Sequence, residues 1–223
     1  MRTPIRDRNK LLDVASGGPI AGMVVALPLL FIGVAISPVE AVSGGVTEGN
    51  SLLYIAVKYI VHGELLPAAG YDVQLHPLAF AAWVGLLITM INLIPIGQLD
   101  GGHIAKAVFG DRHESLSLWL HRLLLLIATI VFAEVYVDVH DAMPPAEAAT
   151  HALSSASPWA VWAVLLTVLK RMSGGEYHPE VSSEPLTRGR RVIVGVVALL
   201  FIVIFTPIPL RENLVLLLQG VGS

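Results

Sequence analysis

Cysteine is absent from the 223-residue sequence. That excludes disulfides and thiolate metal sites, and leaves His, Asp and Glu as the side chains able to hold a metal. Charge is also scarce: Asp, Glu, Lys and Arg make up 14% of the chain against 55% hydrophobic residues, whereas about a quarter of a soluble domain is charged. With a mean hydropathy of +0.73, the chain calls for membrane lipid as its solvent. The net charge of -3 and the lack of any concentrated basic face exclude nucleic acid as a partner. A basic start, Arg2, Arg6, Arg8 and Lys10, precedes an apolar run from Val14 to Ile36. This run is longer than the roughly 7–15 residues of a signal-peptide core and has no small-residue cleavage site, so it reads as a spanning helix.

Five apolar stretches stand out: Val14 to Ile36, Leu75 to Ile96, Leu116 to Val137, Pro158 to Leu169, and Val192 to Leu210. The fourth is short for a hydrocarbon layer of roughly 30 Å, and it spans only if it extends to Ala156 and Met172 or is tilted; an interfacial segment is the alternative. Basic residues fall in alternate connections, with Lys106 and Arg112 after the second stretch and Lys170, Arg171, Arg188, Arg190 and Arg191 after the fourth. The opposite loops hold Glu40, Glu48, Glu64, Asp72, Asp138, Asp141 and Glu147, with Lys58 as their base. The expected fold is therefore all-α, a polytopic bundle of about five spanning helices with a cytoplasmic N-terminus in the cell (inner) membrane. Between the spans, Leu52 to Val61 reads as an interfacial helix ended by His62-Gly63, Asp141 to Pro158 as a loop or weak helix, and Gly174 to Pro185 as a linker.

The chemistry is concentrated at Asn92-Leu93-Ile94-Pro95-Ile96-Gly97-Gln98-Leu99-Asp100-Gly101-Gly102. Pro95 lacks a backbone donor and breaks the helix, while Gly97, Gly101 and Gly102 allow turns and close approach. Irregular backbone at membrane depth must be enclosed by protein or line a wet cavity, and an immersed Asp100 needs a partner. The plainer reading is that Asp100 sits at the interface and N-caps a helix from Gly102 to Phe109. Gly17-Gly18-Pro19 either permits close helix packing or kinks the first span. His103 reads as a surface residue, His121 and Arg122 as interfacial anchors, Glu134 and Asp138 as solvated carboxylates, and Trp83, Trp119, Trp159 and Trp162 as packing and belt residues.

The pattern Asn-x-x-Pro-x-x-x-Leu-Asp-Gly resembles the second signature of the site-2 protease family of intramembrane zinc metalloproteases, and residues 92–101 match every fixed position. Upstream, Pro4-Ile5-Arg6-Asp7-Arg8 through Leu12-Asp13 and Gly17-Gly18-Pro19-Ile20-Ala21-Gly22 resemble the family's segment leading into the helix after its first zinc motif, and His76-Pro77-Leu78-Ala79 through Leu86 is similar to the branch that includes chloroplast homologues. The likeness covers roughly residues 4 to 110, which we take as a protease-like core, with 111–223 as additional C-terminal helices. The resemblance implies that Asp100 is a zinc ligand and that Asn92 contacts the substrate or its developing oxyanion. It further implies that Pro95, Gly97, Gly101, Gly102, Gly18 and Pro19 shape the site, and that the substrate is a transmembrane helix of another protein.

The family's first motif, His-Glu-x-x-His, supplies two further ligands and the carboxylate that activates water; it occurs nowhere in the sequence. His113-Glu114 is followed by Ser115-Leu116-Ser117, and His121 lies eight residues beyond His113. The expectation is a C-terminal portion of a protease with an incomplete zinc site, inactive alone. A pseudoprotease that binds membrane helices without cleaving them is the alternative, and a small transporter built on a broken helix is a third reading.

Overall fold

The computed structural model describes residues 5, 7–42, 45–172, 182 and 184–213. Arg2 and Arg6 lie outside the described residues, as does most of the expected linker at 174–185.

Helix α1, Arg8–Ala35, runs through the first apolar stretch. Its Asp7 cap accepts from the backbone of Asn9 at 2.8 Å and of Lys10 at 3.2 Å, which satisfies donors that the first turn leaves open. Strand β1 (Val39–Ala41), strand β2 (Gly45–Glu48), helix α2 (Leu52–His62) and strand β3 (Tyr71–Val73) follow. As expected, α2 stops at Gly63, whose φ of +77° suits glycine. Helices α3 (Pro77–Asn92), α4 (Asp100–Phe109), α5 (Arg112–Val139), α6 (Pro145–Met172) and α7 (Arg188–Ile204) complete the bundle, and strand β4 (Leu210–Asn213) closes it. Two short antiparallel ladders form, β1 with β3 and β2 with β4.

The fold is all-α in its architecture, and three helices, α1, α5 and α6, are long and apolar enough to cross a membrane. At 1.5 Å per residue, their 28 residues reach about 42 Å. The other two expected spans form shorter helices of 16 and 17 residues, about 24 Å and 26 Å long, because Pro95 and the break after Asn92 end one and Phe205 with Pro207 ends the other. The fourth stretch corrects the other way. Of the two readings for the residues before Pro158, a loop or a weak helix, the structure takes the helix from Pro145 onward, so α6 has ample length and carries Pro158 inside it.

Helices α5 and α6 pack along one another, and α1 lies against α3 and α4. His121 belongs to that first seam: its ring lies 3.1 Å from the Thr167 hydroxyl of α6. Arg122 stacks over Trp119 at 5.9 Å and lies nearly three turns into α5, deeper than an anchor in the first turn. Trp83 and Trp159 are core residues that also tie down loops, donating to the carbonyls of Gly49 at 2.9 Å and Pro207 at 2.8 Å. At one end of the bundle the Arg8 guanidinium donates to the carbonyls of Ala107 and Val108, Lys170 pairs with Glu114, and Arg190 pairs with Asp13. At the other end Lys58, fully buried, pairs with Asp72 at 2.8 Å.

Candidate functional site

The site lies where α1, the end of α3 and the start of α4 meet. Helices α1 and α3 run antiparallel and cross through small residues. A Cβ on Gly33 would stand only 2.6 Å from the Ala79 Cα, so glycine is required for this approach. Further along the seam, a Cβ on Gly85 would meet the Ala26 methyl at 3.5 Å and one on Gly22 would meet the Thr89 hydroxyl at 3.5 Å. One on Gly18 would meet Oδ2 of Asp100 at 3.3 Å. The carboxylate of Asp100 therefore lies against the Gly-Pro segment of α1.

Backbone chemistry puts it there. The amide of Leu93 donates to the carbonyls of Thr89 at 3.0 Å and Met90 at 3.2 Å, closing the last turn of α3. Pro95 cannot donate, Ile96 N–H turns back to the Ile94 carbonyl at 2.7 Å, and Gly97 takes a φ of +65°. Helix α4 then starts at Asp100, two residues earlier than expected. Its cap position is Leu99, with no side-chain capping bond, so Asp100 is not the N-cap. A Cβ on Gly101 would collide with the Leu93 carbonyl and one on Gly102 with that of Gly97, which shows why the first turn of α4 can press into the broken backbone. In this first turn a carboxylate also meets the favourable end of the helix dipole.

The cleft between these elements has a volume of about 310 Å³ and is lined by Gly18, Pro19, Gly22, Thr89, Asn92 and Asp100, among others. Neither the Asn92 amide nor the Asp100 carboxylate has a hydrogen-bond partner among the described residues, so both are available to a ligand. Of the expected site residues, the structure brings Gly18, Pro19, Asn92 and Asp100 to the cleft wall. Pro95, Gly97, Gly101 and Gly102 do not line it but build the break behind it. His103 lies outside the lining. Gly22 and Gly85 lie within the resembling segments but were not expected as site residues, and Thr89 was not singled out at all. Their signal was the spacing of 85, 89 and 92, which places all three on one face of a helix.

As a metal donor, Asp100 supplies a single carboxylate. Among the described residues no group of three His, Asp or Glu side chains gathers to hold a metal. What the cleft offers unaided is one carboxylate and one amide, both open, at a break in the backbone.

The model of peptidase family M50 matches residues 2–135, a range that contains the whole cleft. The chain is 36% identical over 135 residues to "Probable zinc metalloprotease EGY2, chloroplastic" of Arabidopsis thaliana, covering 59% of this chain and 24% of that protein. It is 34% identical to the protein of the same name from Oryza sativa subsp. indica, covering 57% and 25%. To "Probable zinc metalloprotease EGY1, chloroplastic" of Arabidopsis thaliana it is 30% identical over 109 residues, covering 47% and 20%. The chain thus spans about a quarter of the length of the EGY2 relatives. No solved structure matches it. With the family match covering well over half the chain, and with Asn92 of the Asn-x-x-Pro segment and Asp100 of Leu-Asp-Gly lining one cleft, the chain belongs to peptidase family M50, the site-2 proteases.

Proposed function

We propose that this chain is part of an intramembrane zinc metalloprotease of site-2 type, hydrolysing peptide bonds of transmembrane helices in or near the bilayer. Asp100 is one zinc ligand and Asn92 binds the substrate backbone or the oxyanion. The observation that supports this best is the Asp100 carboxylate lying against Gly18, in one cleft with Asn92 and with neither side chain engaged. A zinc held there would polarise a carbonyl and lower the pKa of its bound water. The chain's own residues do the rest: Asp100 presents an oxygen, the glycines of α1 leave room beside it, and Asn92 offers an amide donor where negative charge develops. A helical substrate hides its carbonyls in internal bonds, and the broken backbone around Pro95 and Gly97 would offer edge groups to an unwound strand.

The proposal also holds that two His ligands and a catalytic Glu come from outside these 223 residues, so that the chain alone is inactive, with residues 1–110 carrying the site and 111–223 adding helices. It places the N-terminus on the cytoplasmic side of the cell membrane, a reading that rests on the alternation of Lys and Arg. The test is the protein joined to a His-Glu-x-x-His helix, followed by zinc content and cleavage of a membrane-helix substrate. Asp100→Asn should lower both by more than the roughly 10–100-fold typical of changes around a metal site. Unchanged proteolysis refutes the assignment.

The missing His-Glu-x-x-His favours a second reading, a pseudoprotease that holds membrane helices in the same cleft. Zinc analysis separates the two: the pseudoprotease stays metal-free in its native membrane, whereas the protease copurifies with zinc.

A further inference from the structure

Of the polar side chains lining the Asp100 cleft, Asn92 and Asp100 have a task in the proposed chemistry and Thr89 has none. Thr89 is buried, and its hydroxyl donates to the Gly85 carbonyl, one turn back on α3, at 2.8 Å. That bond alone is commonplace, because Thr129, Thr150 and Thr167 donate in the same way to carbonyls four residues earlier. What sets Thr89 apart is where its oxygen lies. A Cβ on Gly22 of α1 would be 3.5 Å from it, and both residues line the cleft. The space that a side chain at 22 would fill is therefore left beside the Thr89 oxygen.

A hydroxyl has one proton and two acceptor lone pairs. With the proton committed to Gly85, the Thr89 oxygen meets a ligand only as an acceptor. Asn92, three residues on, stands about 4.5 Å further along the same side of α3 and carries an amide donor. In an extended chain the N–H and C=O of one residue point to the same side, and successive residues rise about 3.3 Å. An acceptor and a donor at this separation can thus take both backbone groups of a single residue. The glycines of α1 let that backbone come close. A segment unwound at membrane depth needs such partners, since lipid offers none for a freed N–H.

We propose that Thr89 is a substrate-binding residue of this cleft: its hydroxyl oxygen accepts the backbone N–H of the unwound substrate residue whose carbonyl Asn92 binds. The inference rests on reading the cleft as the site for a membrane helix, and it holds for the protease and the pseudoprotease alike. Recognition at that residue depends on backbone, and a proline there, with no N–H to give, is excluded.

The test uses the full chain in phosphatidylcholine nanodiscs and a fluorescein-labelled, membrane-spanning polyleucine peptide with a central Gly-Gly-Ala break and lysines at each end. Companion peptides carry an ester in place of one central amide, which removes a single N–H. Thr89→Val should weaken binding of the amide peptide about tenfold, and Thr89→Ser should keep it within about twofold of the parent. Thr129→Val, which loses the same kind of helix bond at an exposed position outside the cleft, should leave binding unaltered. One ester should weaken binding to the parent several-fold yet change binding to Thr89→Val little, a coupling that a merely structural loss would not produce. Binding that falls with Asn92→Ala but not with Thr89→Val, or ester effects of equal size in the parent and in Thr89→Val, overturns the role of Thr89 and leaves the cleft reading standing. Absent binding, or binding that neither Asn92→Ala nor Thr89→Val changes, overturns both.

Discussion

Gly102 and Gly17 are both helical glycines, and their surroundings predict opposite responses to a methyl group. A Cβ at 102 would collide with the Gly97 carbonyl, whereas one at 17 meets nothing within 4 Å. Gly102→Ala should therefore destabilise the protein by about 1–3 kcal/mol, the usual cost of overpacking, while Gly17→Ala should gain up to roughly 1 kcal/mol from helix propensity. Thermal unfolding in detergent distinguishes them, and equal effects would show that α4 is not pressed onto the break. The sequence made the importance of Gly101 and Gly102 legible through the motif, but not its cause, since the colliding carbonyls become neighbours only once Pro95 and Gly97 have turned the chain. Glu48 supplies a second prediction. Burial raises its pKa above the ordinary 4.5, outweighing the bond from the Tyr54 hydroxyl and the field of Lys58. An acid whose folded pKa is raised stabilises fully below its unfolded value, and that contribution is lost as pH rises through the folded value. Glu48→Gln should thus gain on the parent protein as pH climbs from 4.5 toward neutrality. A difference in melting temperature that does not change over this range would contradict the burial.

Helix lengths show where pattern reading succeeds and where it stops. The cores of α1 and α5 were legible as long apolar runs, and α2 as a short one ended by His62-Gly63. By contrast, residues 145–157 are rich in Ala and Ser with prolines close by, and the sequence left them open between a loop and a weak helix; Ala in particular is an excellent helix former, and packing against α5 carries the helix through Pro158. The four short strands carried no signal, since each is three or four residues and is held by a partner distant in sequence. The α6 helix is anchored where the Trp159 indole donates to the Pro207 carbonyl at 2.8 Å. Trp159→Phe keeps most of the buried ring but leaves that carbonyl unpaired, which should cost about 1–2 kcal/mol. Faster hydrogen exchange confined to residues around 205–213 would accompany it; exchange spread evenly over α6 would place the anchor elsewhere.

At the scale of the whole molecule, α1, α3, α5, α6 and α7 alternate in direction, so the acidic loops and the basic connections collect at opposite ends. The lack of cysteine makes this arrangement directly measurable, because any introduced thiol is the only one present. Single replacements Lys10→Cys and Arg171→Cys sit at one end, and Glu64→Cys and Glu147→Cys at the other; all four positions are exposed. In sealed vesicles an impermeant maleimide should label one pair and spare the other, with both pairs labelled after the membrane is opened. The 16-residue α3 makes the result informative. At about 24 Å, this helix falls short of a hydrocarbon layer of roughly 30 Å. Its lower end must be completed by the irregular backbone of residues 93–99, or the layer must thin around it. Labelling of Lys10→Cys and Glu64→Cys from the same side would mean that α1 does not cross. The Asp100 cleft, which α1 forms with α3, would then lie on the membrane surface, where cleavage within a bilayer has no physical basis.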